Sequence, residues 1–154
     1  MGNVNRNRVI LGGVLAGVII DASEGLINGV VLKQDWADVM SKLGKSPDLS
    51  ATMMVAFNII GFVTGLLMVW LYAAIRSRYG AGPKAALMVA LTIWIIGYAI
   101  PTLGEVGVGL IPAQLGATAA GLGLIEIILA GLAGASVYKE EATETPVAMS
   151  AAAR

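Results

Sequence analysis

Residues 9–32 read VILGGVLAGVIIDASEGLINGVVL, an apolar segment with two acidic side chains near its centre. A helix needs about 20 mostly apolar residues to cross the roughly 30 Å hydrocarbon core of a bilayer. This segment is therefore long enough to span a membrane. Three more apolar segments follow, at residues 52–75, 84–103 and 112–138. The sequence predicts an all-α membrane protein, a four-transmembrane-helix bundle over residues 1–139.

The composition supports a membrane protein and excludes several classes of chemistry. Hydrophobic residues make up 57% of the chain and charged residues 13%, against about 45–50% and about 25% in soluble domains. The chain has no Cys and no His, which excludes disulfides, thiol chemistry and histidine catalysis or metal ligation. Acidic and basic residues balance at ten each, so no nucleic-acid partner is expected. We expect a non-enzymatic protein without a cofactor or metal.

The basic residues predict the orientation. Four spans place the N-terminus, the turn after the second span and the polar tail 140–154 on one side of the membrane. That side carries most of the basic residues, namely Arg6, Arg8, Arg76, Arg78, Lys84, Lys139 and Arg154. The positive-inside rule then puts both termini in the cytoplasm, which suits a bacterial inner (plasma) membrane. Arg76, Arg78 and Lys84 could contact anionic lipid headgroups, although ordinary anchoring also explains them.

The two connections on the opposite side differ in pattern. In residues 33–50, Trp36, Val39, Met40 and Leu43 recur at helical spacing. We expect a short amphipathic helix in the membrane interface, with Trp36 at the headgroup level; the alternative is a lid over a site. Residues 101–112 read PTLGEVGVGLIP. They should form either a surface segment or a re-entrant turn, and we favour the surface, with Pro101 and Gly104 closing the third span.

Acidic residues inside the spans are the main functional signal. Asp21 and Glu24 share a helix face about 60° wide with Gly17 and Asn28. A carboxylate at the bilayer centre costs at least about 2.5–3.5 kcal/mol, and no Lys or Arg lies within a span to neutralise it. We expect the acidic pair to titrate together and to hold a proton near neutral pH. The candidate ligand- or ion-binding residues are Asp21, Glu24, Asn28, Glu126 and Asn58.

Two interpretations of these polar residues remain open. They could bind a proton or cation in an oligomeric transporter, or they could form hydrogen bonds between helices at about 0.6–2 kcal/mol each. The second interpretation is favoured for Asn28 and Asn58 and slightly favoured for Glu126, while the two are weighed equally for Asp21 and Glu24. Small-xxx-small pairs predict close helix contacts, within the bundle, in a homo-oligomer or in a larger membrane complex; they are Gly13/Gly17, Gly25/Gly29 and Gly61/Gly65. The alternative function is therefore a non-catalytic accessory subunit.

The run WLYAAIRSRYGAGPKAAL at residues 70–87 is preceded by INGVVL at 27–32, by Trp36 and by KLG at 42–44. These motifs resemble a family of small bacterial four-span membrane proteins, and the resemblance covers most of residues 8–139. It implies the four-helix architecture. Ser77 stands where the family more often has Pro. Because that family has no established function, and because Asp21 and Glu24 are not part of its pattern, the resemblance implies no mechanism.

Overall fold

The computed structural model describes residues 4–139, and these form six α-helices and two π-helical turns. The first span is α1 (Arg6–Leu26) with a first π turn (Ile27–Val31), and α2 (Lys33–Lys42) follows it. The second span is α3 (Ala51–Tyr79). The third span consists of α4 (Pro83–Trp94), a second π turn (Ile95–Ala99) and α5 (Ile100–Gly107), and the fourth is α6 (Ala113–Val137).

Local sequence signals explain where the helices begin. The side chain of Asn5 accepts a hydrogen bond from the Arg8 amide, and Ser50 caps α3 in the same way. Such caps satisfy amides that have no partner inside the helix. Between α3 and α4, Gly80 and Gly82 adopt φ of 86° and 128°, a region that disfavours side chains. Pro83 then occupies the first turn of α4, where its missing N–H costs nothing.

The described residues contain four helical segments that are long and apolar enough to cross a membrane: Arg6–Val31, Ala51–Tyr79, Pro83–Gly107 and Ala113–Val137. The predicted all-α bundle of a multi-pass membrane protein is thus confirmed. The predicted polar tail, residues 140–154, lies outside the described residues.

The third span is longer than the sequence predicts. Pro101 does not close it, because the helix continues through Pro101 to Gly107 before a short turn. The second π turn ends two residues before this proline, and the Ile100 amide donates to the Ile95 carbonyl five residues back. A π turn shifts the hydrogen-bond register, so the helix can accommodate a residue that donates no hydrogen bond. The expected surface segment at 101–112 is therefore mostly the end of a helix.

One end of the bundle holds the starts of α1 and α4 and the ends of α3 and α6, and we call it the basic end. Tyr138 and Tyr72 tie these elements together. The Tyr138 hydroxyl accepts from the Asn5 amide at 3.2 Å, and the Tyr72 hydroxyl accepts from the Gly82 amide at 3.0 Å. The two rings meet edge to face at 6.0 Å, and the Arg76 guanidinium lies 5.8 and 5.2 Å from their centroids. These contacts confirm that both ends of residues 4–139 lie together.

Glycines allow the helices of the basic-end half to touch backbone to backbone. A Cβ built on Gly65 of α3 would lie 2.5 Å from the Gly13 carbonyl oxygen and 2.5 Å from the Gly17 amide of α1. A Cβ on Gly12 would lie 2.5 Å from the Gly134 carbonyl oxygen of α6. Real side chains do not tolerate such distances. The predicted close contacts of Gly13, Gly17 and Gly65 are present, which makes this half of the bundle tightly packed.

The opposite end, which we call the α2 end, is packed differently. A small apolar cluster joins Leu32 and Val39 to Ile111 and Leu115 at the start of α6, with Trp36 against it. Residues 51–60 of α3 are almost entirely exposed within the part of the chain that the structure describes. The predicted helix between the first two spans is present and packs on the bundle. Its position in a membrane interface stays a prediction.

Candidate functional site

A cavity of about 190 Å³ lies in the α2 end of the bundle. Residues of α1, the first π turn and α2 line one side, the second π turn and α5 line another, and α6 forms a third. Gly97 and Pro101 line it and are exposed, so the cavity reaches the molecular surface. It has room for several water molecules or one small solute, since a water molecule occupies about 30 Å³.

The two π turns supply much of the cavity wall. Ile27 and Asn28 come from the first, and Gly97 and Tyr98 come from the second. A π turn adds one residue to a helical turn, so the side chains around it change direction relative to the rest of the helix. Such turns are frequently found at functional sites. Here both of them face the same cavity.

The centre of the site is the hydroxyl group of Tyr98. Its oxygen lies 2.6 Å from Oε1 of Glu24 on α1 and 3.0 Å from Oε1 of Glu126 on α6. A phenol has a single O–H hydrogen and can donate it to only one of the two carboxyl groups. The second short contact therefore requires another proton, and a protonated carboxyl group can provide it.

Glu126 is the most deeply buried polar residue of the site. Its side chain is 2% exposed, and its Oε2 atom has no hydrogen-bond partner among residues 4–139. Burying a polar atom without a partner is costly, and burying an unpaired charge is more costly still. Glu126 lines the cavity, so an occupant of the cavity could supply the missing partner.

A hydrogen-bond chain connects Glu24 to α2. The Asn28 amide nitrogen donates to Oε2 of Glu24, and the Trp36 indole nitrogen donates to the Asn28 amide oxygen at 2.8 Å. An indole N–H can only donate, so it determines which end of the Asn28 amide faces Trp36. The other end of the amide, its NH₂ group, is then directed at the carboxyl group. Trp36 also lines the cavity, and the lid alternative for α2 stays a prediction.

Small residues on α6 make room for Tyr98. Gly116, Ala119, Ala120 and Gly123 all line the cavity. A Cβ built on Gly123 would lie 2.6 Å from two carbon atoms of the Tyr98 ring. The ring can therefore reach Glu126 only because position 123 has no side chain.

The structure brings together three of the five predicted ligand residues, Glu24, Asn28 and Glu126. Asp21 lies elsewhere, with its carboxyl group against Gly61 of α3 and its Oδ2 atom buried without a partner among the described residues. It does not line the cavity. Asn58 is exposed and donates to the Met54 carbonyl of its own helix at 2.8 Å. The predicted acidic pair is thus divided between a helix interface and a cavity.

The predicted headgroup residues are all at the basic end. Arg76 lies over the two tyrosine rings, while Arg78 and Lys84 are exposed. Contact with lipid stays a prediction.

The sequence did not predict Tyr98 and Glu105 as residues of the site, nor Trp36 as part of the cavity wall. A signal for Tyr98 does exist, because it is the tyrosine within the third span and the acidic residues inside the other spans need a hydrogen-bond donor. No sequence pattern indicates the π turn that directs its side chain. Among residues 4–139, no three acidic side chains gather closely enough to hold a metal ion.

No family model, curated protein or solved structure matches the chain. The site must therefore be interpreted from its own geometry.

Proposed function

We propose that this protein is a membrane transporter that exchanges a proton for a monovalent cation at Glu24 and Glu126. The observation that carries the proposal is the pair of contacts from the Tyr98 hydroxyl, 2.6 and 3.0 Å, to two carboxyl groups. The cavity wall has three acidic and no basic residues among the described ones. Such a wall favours positively charged occupants.

The chemistry follows from charge and hydrogen-bond donors. With Glu24 ionised and Glu126 protonated, Tyr98 donates to Glu24 and Glu126 donates to Tyr98. Each of the two short oxygen–oxygen contacts of the Tyr98 hydroxyl then contains one hydrogen. A cation that enters the cavity adds a positive charge, so the Glu126 proton can leave without exposing two unpaired carboxylates to a low-dielectric environment. Proton and cation would compete for one site, which is the requirement for exchange.

A path across the membrane needs more than the cavity. The cavity lies in the α2 end, while the helices of the other half touch backbone to backbone at Gly12, Gly65 and Gly134. A transport cycle would require either separation of these helices or a second subunit beside them. We propose a homo-oligomer because four helices enclose little space of their own.

The proposal is tested in lipid vesicles that contain the purified protein and a pH-sensitive dye. Outward gradients of inorganic or organic monovalent cations are imposed in turn, and the internal pH is followed. Glu126→Gln should abolish the protein-dependent pH change, since an amide cannot exchange a proton. Glu24→Gln should abolish it as well, because it removes the negative charge that holds the cation beside Glu126. Asp48→Asn, which removes an exposed charge outside the spans, should transport normally. A pH change that persists in Glu126→Gln would refute exchange at this site.

A second candidate is an accessory subunit of a larger membrane complex. It is favoured by residues 51–60 of α3, which are almost entirely exposed within the described part of the chain. A larger membrane protein could cover this surface. Purification in mild detergent separates the candidates, because co-purifying large subunits support the accessory role and a homo-oligomer supports the transporter.

A further inference from the structure

We infer that the cavity binds a small organic monocation that carries N–H groups, an alkylammonium or a guanidinium. The inference rests on the proposed function, because it names the class of cation that the exchange site would take. Its first basis is the buried Glu126 oxygen. Glu126 lines the cavity and is 2% exposed, and its buried Oε2 atom has no hydrogen-bond partner among residues 4–139.

The unmet hydrogen bonds in the site require a donor rather than an acceptor. The Glu24 carboxyl group already receives bonds from Asn28 and from Tyr98, whereas the one contact of Glu126 is its Oε1 atom with the same Tyr98 hydroxyl. An ammonium group has up to three N–H donors and a guanidinium has several in a plane. Either cation could donate to Glu126 Oε2 and bring the positive charge that the wall lacks. A cation without N–H groups would supply only the charge.

The rest of the wall suits the carbon atoms of such a cation. Trp36 and Tyr98 are aromatic, Ile27 and Ile111 are aliphatic, and the α6 side consists mainly of Gly and Ala. Aromatic rings attract organic cations through their π electrons. The volume of about 190 Å³ is below the roughly 300–1,000 Å³ of sites for drug-sized ligands. The occupant should therefore be compact, with only a few carbon atoms.

The arrangement of the acidic groups disfavours a metal ion. Hard cations such as Ca²⁺ take about six to eight oxygen ligands at short range. The described carboxyl groups include no cluster of three that could converge on a metal. Glu24 and Glu126 are instead separated by the Tyr98 hydroxyl, which contacts both. Spaced acceptors of this kind match the N–H groups of an organic cation better than they match a single ion.

Calorimetry on the intact wild-type protein in lipid nanodiscs tests the inference directly. Propylammonium and guanidinium are titrated first, then tetramethylammonium, which has no N–H, and then potassium at equal ionic strength. At least one of the N–H cations should bind, and tetramethylammonium should bind about tenfold more weakly or worse, the usual effect of losing a hydrogen bond to a charged group. Equal binding of tetramethylammonium, binding of potassium alone, or no binding at all would overturn the inference.

Two variants locate the binding. Glu126→Gln should weaken propylammonium or guanidinium binding about tenfold or more, because it removes the charged acceptor. Asp48→Asn is the matched control with the same change of charge and should bind as the wild type does. Unchanged affinity in Glu126→Gln would place the cation elsewhere. If that variant does not fold, the wild-type ligand series still decides the question.

The results also separate this inference from the proposed function. Binding of an N–H cation without cation-driven pH change in vesicles supports the ligand class and refutes transport. A pH change driven by potassium but by no N–H cation supports exchange and refutes the ligand class.

The ammonium could belong to a free amine or to the ethanolamine headgroup of a lipid. Nanodiscs of phosphatidylcholine alone and nanodiscs that include phosphatidylethanolamine distinguish these sources. Weaker apparent binding of propylammonium in the nanodiscs that include phosphatidylethanolamine supports the inferred chemistry and identifies the lipid headgroup as a source of the ammonium group. Equal binding in both supports a free amine.

Discussion

The two halves of this bundle are built from the same four spans but are packed in opposite ways. In the basic-end half, Gly12 and Gly65 bring neighbouring helices to within backbone contact. In the α2-end half, two π turns, a lining of small residues on α6 and three acidic side chains surround a cavity. In the first half there is no room for an added methyl group at Gly12 or Gly65, and the second half has room for a small solute.

The comparison shows that one set of helices can combine close packing with a cavity that is a candidate binding site. Lipid does not press apolar helices together as water does, so close packing must come from small residues that let backbones meet. Where such contacts stop, polar side chains determine the structure. Tyr98 connects two spans through Glu24 and Glu126, and Asn28 connects a third element through Trp36. We therefore expect stability and the proposed function to depend on different halves.

The largest effect is expected in the basic-end half. Gly65→Leu places a side chain where the Gly13 carbonyl and the Gly17 amide already lie within 2.5 Å of its Cβ. Backbone atoms cannot move aside as a flexible side chain can, so the cost should reach or exceed the roughly 1–3 kcal/mol of ordinary overpacking. We expect loss of folded, monodisperse protein in size-exclusion chromatography and a lower thermal unfolding temperature.

Two controls accompany this variant. No described atom lies within 4 Å of a Cβ built on Gly121, so Gly121→Leu should keep the wild-type behaviour. Leu67 is 49% exposed, and Leu67→Ala should also change little. If Gly65→Leu were as well tolerated as these two variants, the inference that helices of the basic-end half meet backbone to backbone at Gly65 would be wrong.

The next largest effect is expected at the Tyr98 hydroxyl, in the α2-end half. Tyr98→Phe keeps the ring against Gly123 but removes the hydroxyl that contacts both glutamates. The protein should still fold, and proton-linked flux should fall by about tenfold or more, since a hydrogen bond to a charged group is worth about 1.5–3 kcal/mol. Tyr79→Phe, at an exposed tyrosine, is the control. Wild-type flux in Tyr98→Phe would show that the hydroxyl has no part in the site.

A smaller effect is expected from Gly123→Ala, which changes no charge and no hydrogen-bonding group. Its Cβ would lie 2.6 Å from the Tyr98 ring, so the ring must shift and its hydroxyl must move relative to Glu126. Flux should fall by a smaller factor than in Tyr98→Phe. Because both changes act through one contact, the double variant should lose less than the two single losses combined. Additive losses would mean that Gly123 does not position Tyr98.

Much of the fold could be predicted from the sequence, because span length, basic residues and glycine spacing are local patterns. The close contacts of Gly13, Gly17, Gly61 and Gly65 follow from the same patterns. Gly25 and Gly29 have the same spacing, yet no described atom lies within 4 Å of a Cβ built on either. Spacing on one helix cannot indicate which neighbour, if any, lies opposite.

The site was only half predictable for a related reason. Helical periodicity puts Asp21 and Glu24 on one face, but that face meets two different neighbours. Asp21 lies against Gly61 of α3, whereas Glu24 points to Tyr98 in the third span. The π turns that direct Asn28 and Tyr98 depart from the regular period on which the prediction relied. The convergence of Glu24 and Glu126 is a tertiary property, which no single span encodes.

The most direct test of the account is infrared difference spectroscopy of the protein in lipid bilayers at neutral pH. The account requires a protonated carboxyl group beside Tyr98, since one phenol hydrogen cannot serve two carboxylates. The wild type should therefore show the carbonyl stretch of a protonated acid that is lost in Glu126→Gln, with the spectrum of Asp48→Asn unchanged from the wild type. An identical band in the wild type, Glu126→Gln and Glu24→Gln would mean that neither glutamate holds the proton, and it would contradict the account.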